Sequence, residues 1–234
     1  ERRARDLFLN LCRDRGCATA AREIWEEIGQ APHRKPELAY LVSWLRVAGG
    51  NSVLPGWVLH EFDGIADLVL RLRMACGNDD CTFCTQHSNP ERLLNKYFGF
   101  NAYRTMPDGR TLQREIVSAS LAGRHHLAIL PTGGGKSICY QIPALHRYER
   151  TGALTIVISP LKALMKDQVD NLNHATGTQA AAAINGSLTL PERGAVIEKV
   201  RLGDIGLLYI SPEQLRNKSV VELIASRQVG CWIF

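Results

Sequence analysis

Five short apolar runs, separated by helix-length segments, restrict the second half of this chain to very few folds. They are "HLAIL" (126–130), "ALTIVIS" (153–159), "AAAAI" (180–184), "GLLYI" (206–210) and "GCWIF" (230–234). Each reads as a buried strand, bounded by turn residues. The segments between them carry helix start signals. Ser159-Pro160 and Ser211-Pro212 each offer an N-cap followed by proline at the first helical position. "TLPE" (189–192) reads as a capping box between Thr189 and Glu192. Strand–helix alternation of this kind builds right-handed βαβ units and a parallel sheet. The expected fold class for residues 91–234 is therefore α/β, a parallel sheet flanked by helices.

At the first of these strand-to-helix junctions stands "LPTGGGKSICYQIPAL", Leu130 to Leu145. Glycine gives up more backbone freedom on folding than any other residue, so a triplet signals a need for bare backbone. Thr132, Gly133, Gly134 and Gly135 let the chain curl so that successive N–H groups face an anion. The helix that follows adds the partial positive charge of its N-terminus. Lys136 reaches the β- and γ-phosphates as a point charge, and the Ser137 hydroxyl is placed to ligate Mg²⁺. The usual pattern has glycine six positions before the lysine, where this chain has Leu130. That removes a turn glycine but no phosphate contact. The pattern implies ATP with Mg²⁺.

Residues 1–75 have a different texture. "ARDLFLNLCRD", "ATAAREIWEEIG", "KPELAYLVSWLRVAGG" and "IADLVLRLRMA" repeat apolar residues at three and four spacing, which predicts a mainly helical domain. The third opens with Pro36 and closes on Gly49-Gly50. Several short helices with basic residues suit a winged-helix or helix-turn-helix module, and equally any small helical domain. Residues 76–90, around "CGNDDCTFCTQHSNP", break the periodicity. Cys76, Cys81, Cys84 and His87 make C-x4-C-x2-C-x2-H, a donor set suited to tetrahedral Zn²⁺. Cys12 and Cys17 are further candidates for the fourth ligand. Four cysteines would also suit an iron–sulfur cluster, and free thiols are the simplest alternative. The count of seven cysteines is odd, and the charged "ERRARDLFLNLCRDRG" is no signal-peptide core. Both features point to a reducing, cytoplasmic setting. No apolar run is long enough to span a membrane.

Charge is uneven. Residues 1–100 hold 13 Lys and Arg against 13 Asp and Glu, so the net +5 of the chain falls on residues 101–234. A basic excess on the α/β half is compatible with a polyanion partner.

The motifs of that half resemble, in order, those of the RecQ family of superfamily 2 DNA helicases. "LPTGGGKSICYQIPAL" is similar to the family's first ATPase motif, "VISPLKALMKDQVDNL" (157–172) to motif Ia, "INGSLTLPER" (184–193) to the segment after it, and "LLYISPEQL" (207–215) to the motif Ib region. The resemblance covers residues 92–234 and implies a RecA-like first motor domain. It also implies a glutamine that reads the adenine edge, and Gln113 lies 23 residues before Lys136, as in the family. The family's accompanying arginine falls on Arg110, with Gly109 where an aromatic residue is usual; Tyr103-Arg104 supplies the same pair if "TMPDGRTL" is an insertion. For DNA, mainly single-stranded or partly duplex, the resemblance implies contacts from Ser159, Pro160, Lys162, Lys166 and Ser211. The family's zinc module usually follows the motor, so a cysteine cluster before it departs from the pattern. In the family a DEAH-type box follows a strand like "CWIF". The 234-residue chain is thus expected to be a fragment that binds nucleotide but lacks the hydrolytic carboxylates. The implied whole protein is an ATP-driven DNA helicase in repair, recombination or defence. An RNA-directed helicase and a non-catalytic nucleotide-gated module are the competing expectations.

Overall fold

The structure is a computed structural model of the chain and describes residues 2–47, 53–76, 78 and 80–234. Gly49-Gly50 and the Gly77 and Asp79 positions of the "GNDD" stretch lie outside the described residues.

The first part is helical. It comprises α1 (Arg2–Arg15), α2 (Ala18–Gln30), a 3₁₀ turn at Pro32–Arg34, α3 (Lys35–Val47), α4 (Gly56–Glu61), α5 (Ile65–Arg73) and α6 (Thr82–His87). The four sequence-predicted helices are α1, α2, α3 and α5. The short α4 escapes periodicity because six residues make fewer than two turns. Each longer helix turns one apolar stripe inward: Phe8 and Cys12, Ala21 with Ile24 and Ile28, Leu41 with Leu45, Leu68 with Leu72. Cys81, Phe83 and Cys84 join this same core. No strand forms among the described residues before Leu154, so a wing of β-structure is not built in the helical part.

Two further helices, α7 (Pro90–Phe98) and α8 (Leu112–Leu121), lead into α9 (Lys136–Thr151), which opens the α/β layer. It continues as β1 (Leu154–Ile158), α10 (Lys162–Thr176), β2 (Ala181–Ile184), α11 (Leu190–Leu202), β3 (Leu207–Ile210), a 3₁₀ turn at Pro212–Arg216, α12 (Lys218–Ala225) and β4 (Val229–Ile233). The strands form one parallel sheet in the order β2-β3-β1-β4. Thr155 faces Leu207 in register, Ala181 faces Leu207 from the other side, and Ile156 faces Trp232. Alternate residues face opposite layers. Leu207 and Tyr209 pack with α7, α8, α9 and α10, whereas Leu208 and Ile210 pack with Val200 of α11 and with Val220 and Leu223 of α12. The sheet is thus covered on both faces, as its near-continuous apolar strands require.

Two local expectations fail. Residues 126–130 form no strand, and Leu127 and Ile129 are 89% and 84% exposed. A strand needs a neighbour's edge for its N–H and C=O groups, and among the described residues this run has none. Its apolar character misled because apolarity is not burial. The Ser159-Pro160 pair does not cap α10. The helix starts two residues later, with Leu161 at the N-cap and no side-chain cap bond. At Thr189 the capping box forms in full, with the Glu192 carboxylate accepting from Thr189 N–H at 2.8 Å.

The helical part and the α/β part meet along α9. Arg150 sits 4.8 Å over the Phe83 ring, and His146 Nε2 lies 3.1 Å from Ser88 Oγ. Burial pulls the His146 pKa down to about 3, helped by Arg150, Lys96, Arg147 and His87. The unfolded chain protonates this imidazole near its ordinary 6.5, and the folded chain does so only near 3. Between those values the unfolded state holds the extra proton, so stability falls as pH drops through that window. From pH 6.5 to 5 the loss is about 2 kcal/mol. In urea titrations at both pH values, His146→Gln is expected to lose about 2 kcal/mol less than the wild type on acidification. Equal losses would show that His146 is not held neutral.

Candidate functional site

The glycine triplet forms a tight loop at the start of α9, and each glycine is there for its own reason. Gly133 and Gly135 have φ of +74° and +72°, the left-handed region that side chains avoid. Gly134 has an ordinary φ but no room: a Cβ there would lie 2.9 Å from the Pro131 carbonyl oxygen. That carbonyl accepts the Gly134 N–H at 3.0 Å, which closes the turn. Gly135 is the N-cap of α9 and offers no side-chain oxygen, so the first-turn N–H groups stay open for an outside acceptor. Lys136 is exposed at this end and Ser137 is half-buried beside it. Among the described residues Lys136 has no ion-pair partner.

The second wall of the site comes from residues 104–113. Gln113 is buried, and its Nε2 donates to the Gly134 and Gly135 carbonyls at 3.1 and 3.4 Å. Its Oε1 accepts from the Arg104 N–H at 3.0 Å. The Arg104 guanidinium in turn donates to the Gly133 carbonyl. Gln113 thus stands beside the loop, but both ends of its amide are engaged by backbone groups rather than offered to an adenine edge as expected.

Arg110 is placed differently from the expectation. It lies in solvent and pairs with Glu115 at 3.0 Å, clear of the loop. The segment between is a tight turn, in which Met106 N–H donates to the Arg110 carbonyl at 2.8 Å. That turn loops out and returns Arg104 to Gln113. The arginine beside the glycine loop is therefore Arg104. Tyr103 is buried and its hydroxyl donates to the Pro90 carbonyl at 2.9 Å, so its ring is packed rather than open for stacking.

Between the two walls lies a cavity of about 240 Å³, lined by Arg104, Met106, Leu112, Gln113, Pro131 and Thr132 among others. Met106 and Leu112 give it apolar sides, and sequence reasoning missed both. Their signal was an apolar residue on each flank of a polar turn. A larger cavity of about 990 Å³ opens at the other end of α9, between Lys96, Glu149, Thr178 and Lys199. It does not border the glycine loop.

The residues expected to meet DNA follow strands β1 and β3 at the carboxyl edge of the sheet, where ligands bind in open α/β folds. Pro160, Lys162 and Lys166 are exposed, together with Leu161 and Leu164 at 61% and 45%. Ser159 is half-buried, and its N–H donates to the Ile210 carbonyl at 3.0 Å. Ser211 is only 1% exposed, so its hydroxyl lies under this surface rather than on it. The tight start of the Pro212–Arg216 turn draws it inward.

Of the four sequence-predicted metal ligands the structure brings together three. The sulfurs of Cys76, Cys81 and Cys84 lie with that of Cys17, all four within 4.8 Å of one another. His87 is the correction. Its Nδ1 sits 2.9 Å from the Phe83 carbonyl oxygen, and its ring packs on Phe83 at 4.5 Å, away from the sulfurs. Cys17 takes the fourth corner because its N–H donates to Leu72 O at 2.7 Å, which fixes the α1–α2 turn beside α5.

Comparison with known proteins agrees with the geometry. A sequence model of the DEAD/DEAH box helicase family matches residues 110–234. The chain is 42% identical over 141 residues to the ATP-dependent DNA helicase RecQ of Haemophilus influenzae, covering 60% of this chain and 21% of that protein. It is 43% identical over 138 residues to the RecQ of Pasteurella multocida, covering 59% and 20%. It is also 41% identical over 113 residues to the ATP-dependent DNA helicase Q4 of Mus musculus, covering 48% and 9%. The matched part spans about a fifth of the length of these bacterial relatives. With a phosphate-type loop on a parallel sheet, and the family model matched over more than half of its residues, the chain belongs to the DEAD/DEAH box helicase family.

Proposed function

We propose that the chain is the nucleotide-binding part of a RecQ-type, ATP-dependent DNA helicase. The observation that carries this reading is the open α9 N-terminus, with Lys136 at its mouth and the Arg104–Gln113 clamp behind the loop. The residues fit a triphosphate: Gly133 and Gly135 take the left-handed backbone that curls the loop, and the donors present are backbone N–H groups and an ammonium. Lys136 binds and orients the phosphates. Ser137 would hold Mg²⁺, which when bound neutralises phosphate charge. Gln113 and Arg104 fix the carbonyl side of the loop so that its N–H groups face outward. The pocket beside Met106 and Leu112 takes the base.

Single-stranded DNA lies across the carboxyl edge of the sheet, on Pro160, Lys162 and Lys166. Ser159 and Ser211 position the loops beneath it. Such contacts are to phosphates and carry no base preference, which suits a translocating motor. The test is salt dependence. Binding of a labelled single strand should weaken steeply as salt rises, and Lys162→Ala/Lys166→Ala should flatten the slope of log K against log salt by about 1.4. A slope unchanged by the double substitution would remove DNA from this surface. In the longer protein, ATP-dependent separation of DNA duplexes and not RNA duplexes is the expected outcome. Preference for RNA would favour the RNA-directed alternative.

A further inference from the structure

We propose that Cys17, Cys76, Cys81 and Cys84 bind one zinc ion as a tetrahedral tetrathiolate site. The site ties the α1–α2 turn to the segment that enters the α/β fold.

Geometry comes first. A zinc ion with Zn–S bonds of about 2.3 Å sets its four sulfurs about 3.8 Å apart along each edge of the tetrahedron. The Cys17 and Cys81 sulfurs are 3.7 Å apart, and no pair in the group exceeds 4.8 Å. That is far longer than a disulfide bond of about 2.05 Å, and all four thiols are free. It is also too tight for a multi-iron cluster, whose inorganic core must sit between the cysteine sulfurs. Sulfur-only donors in a tetrahedral set select zinc over magnesium or calcium.

The frame around the sulfurs is built before any ion arrives. Cys17 is the N-cap of the 13-residue α2, and its sulfur accepts the Ala20 N–H at 3.4 Å. Both favour thiolate at that position. Cys81 and Cys84 flank the first turn of α6, the C-x2-C spacing that points two sulfurs at one centre. Cys76 follows α5. The ligands thus converge from three elements, with Cys17 and Cys81 64 positions apart.

Charge gives an independent indication. Four thiolates and one Zn²⁺ carry a net charge of about −2. Two arginines stand by this core, Arg73 over the Trp44 ring at 5.2 Å and Arg150 over the Phe83 ring at 4.8 Å, with Glu149 also in electrostatic range of Arg150. Arg73 is 6% exposed and its Nε is buried without a hydrogen-bond partner among the described residues. Arg150, in electrostatic range of Cys84, has Nε and Nη2 in the same condition. Buried cations left uncompensated are costly. A dianionic site would add negative charge within electrostatic range of Arg150, which four neutral thiols do not.

Binding forms four Zn–S bonds and releases to solvent the proton of each cysteine that is still a thiol, with no change of oxidation state. The test is elemental analysis of the purified chain, expected to give one zinc per chain. Cys17→Ser should weaken zinc binding by more than about 100-fold, whereas His87→Ala should retain a full equivalent. Because Cys17→Ser can fail to fold, two readouts use the wild type. Titration with an organomercurial should release the zinc to a chromogenic chelator as four thiols react. Co²⁺ in place of zinc should give the ligand-field spectrum of tetrahedral sulfur coordination. The proposal is overturned by any of three results: iron in place of zinc, a Cys17–Cys81 disulfide by mass spectrometry, or zinc lost from His87→Ala as readily as from Cys17→Ser.

Discussion

Lys136→Ala is expected to lower the affinity of the chain for ATP by about 100-fold or more while leaving its thermal unfolding nearly unchanged. Hydrogen bonds to charged groups contribute about 1.5–3 kcal/mol each, and this ammonium has three N–H groups to give to phosphate oxygens. Losing two such bonds costs about 3–6 kcal/mol, and every 1.4 kcal/mol is tenfold in affinity. The fold has little to lose. Lys136 is exposed at the first position of α9, where alanine is a good helix former. Titration calorimetry with ATP and Mg²⁺, beside a melting curve, measures both. Unchanged ATP affinity in a folded variant would mean that the glycine loop is not the phosphate site.

Tyr209→Ala should be among the most destabilising single changes in the α/β part, at about 3–5 kcal/mol. Tyr209 sits on β3, next to the middle of the sheet, and is 1% exposed. Its ring packs edge-on to Tyr140 of α9 at 6.5 Å. Its hydroxyl lies 3.2 Å from the Tyr140 hydroxyl and accepts from Gln141 Nε2 at 3.3 Å. Gln141 also donates to Gln168 of α10 at 3.2 Å. Alanine removes the ring, leaves a cavity and strips polar partners of a bond. Tyr209→Phe keeps the ring and should cost only about 0.5–1.5 kcal/mol. Chemical denaturation of the three proteins separates packing from polar linkage. A cost under about 1 kcal/mol for alanine would contradict the way α9 is seated on the sheet.

What was legible in the sequence was what is local. The glycine triplet, Lys136 and Ser137 occupy consecutive positions, and the forces that shape them act within one turn. Strands β1 to β4 were visible because each is a short apolar run between helix signals. The run at 126–130 looked the same and is not a strand, since a strand is defined by a neighbour that a single segment does not contain. Arg110 was favoured over Arg104 by counting, and counting cannot see the turn that Met106 and Arg110 close. His87 was favoured over Cys17 for the same reason. His87 lies three positions after Cys84 in sequence, but the fourth sulfur comes from 64 positions before Cys81. Burial of Ser211 was equally hidden, because a serine after a strand reads as a surface cap until the turn beyond it is built.

One helix joins the two ends of this molecule. With sixteen residues at about 1.5 Å each, α9 is about 24 Å long. One tip carries the ammonium of Lys136, and Arg150 near the other rests on the ring between two cysteines. Pivoting such a strut by about 5° moves its far tip by about 2 Å over that length. A tilt of this strut at the loop tip would therefore also shift Arg150 against that ring.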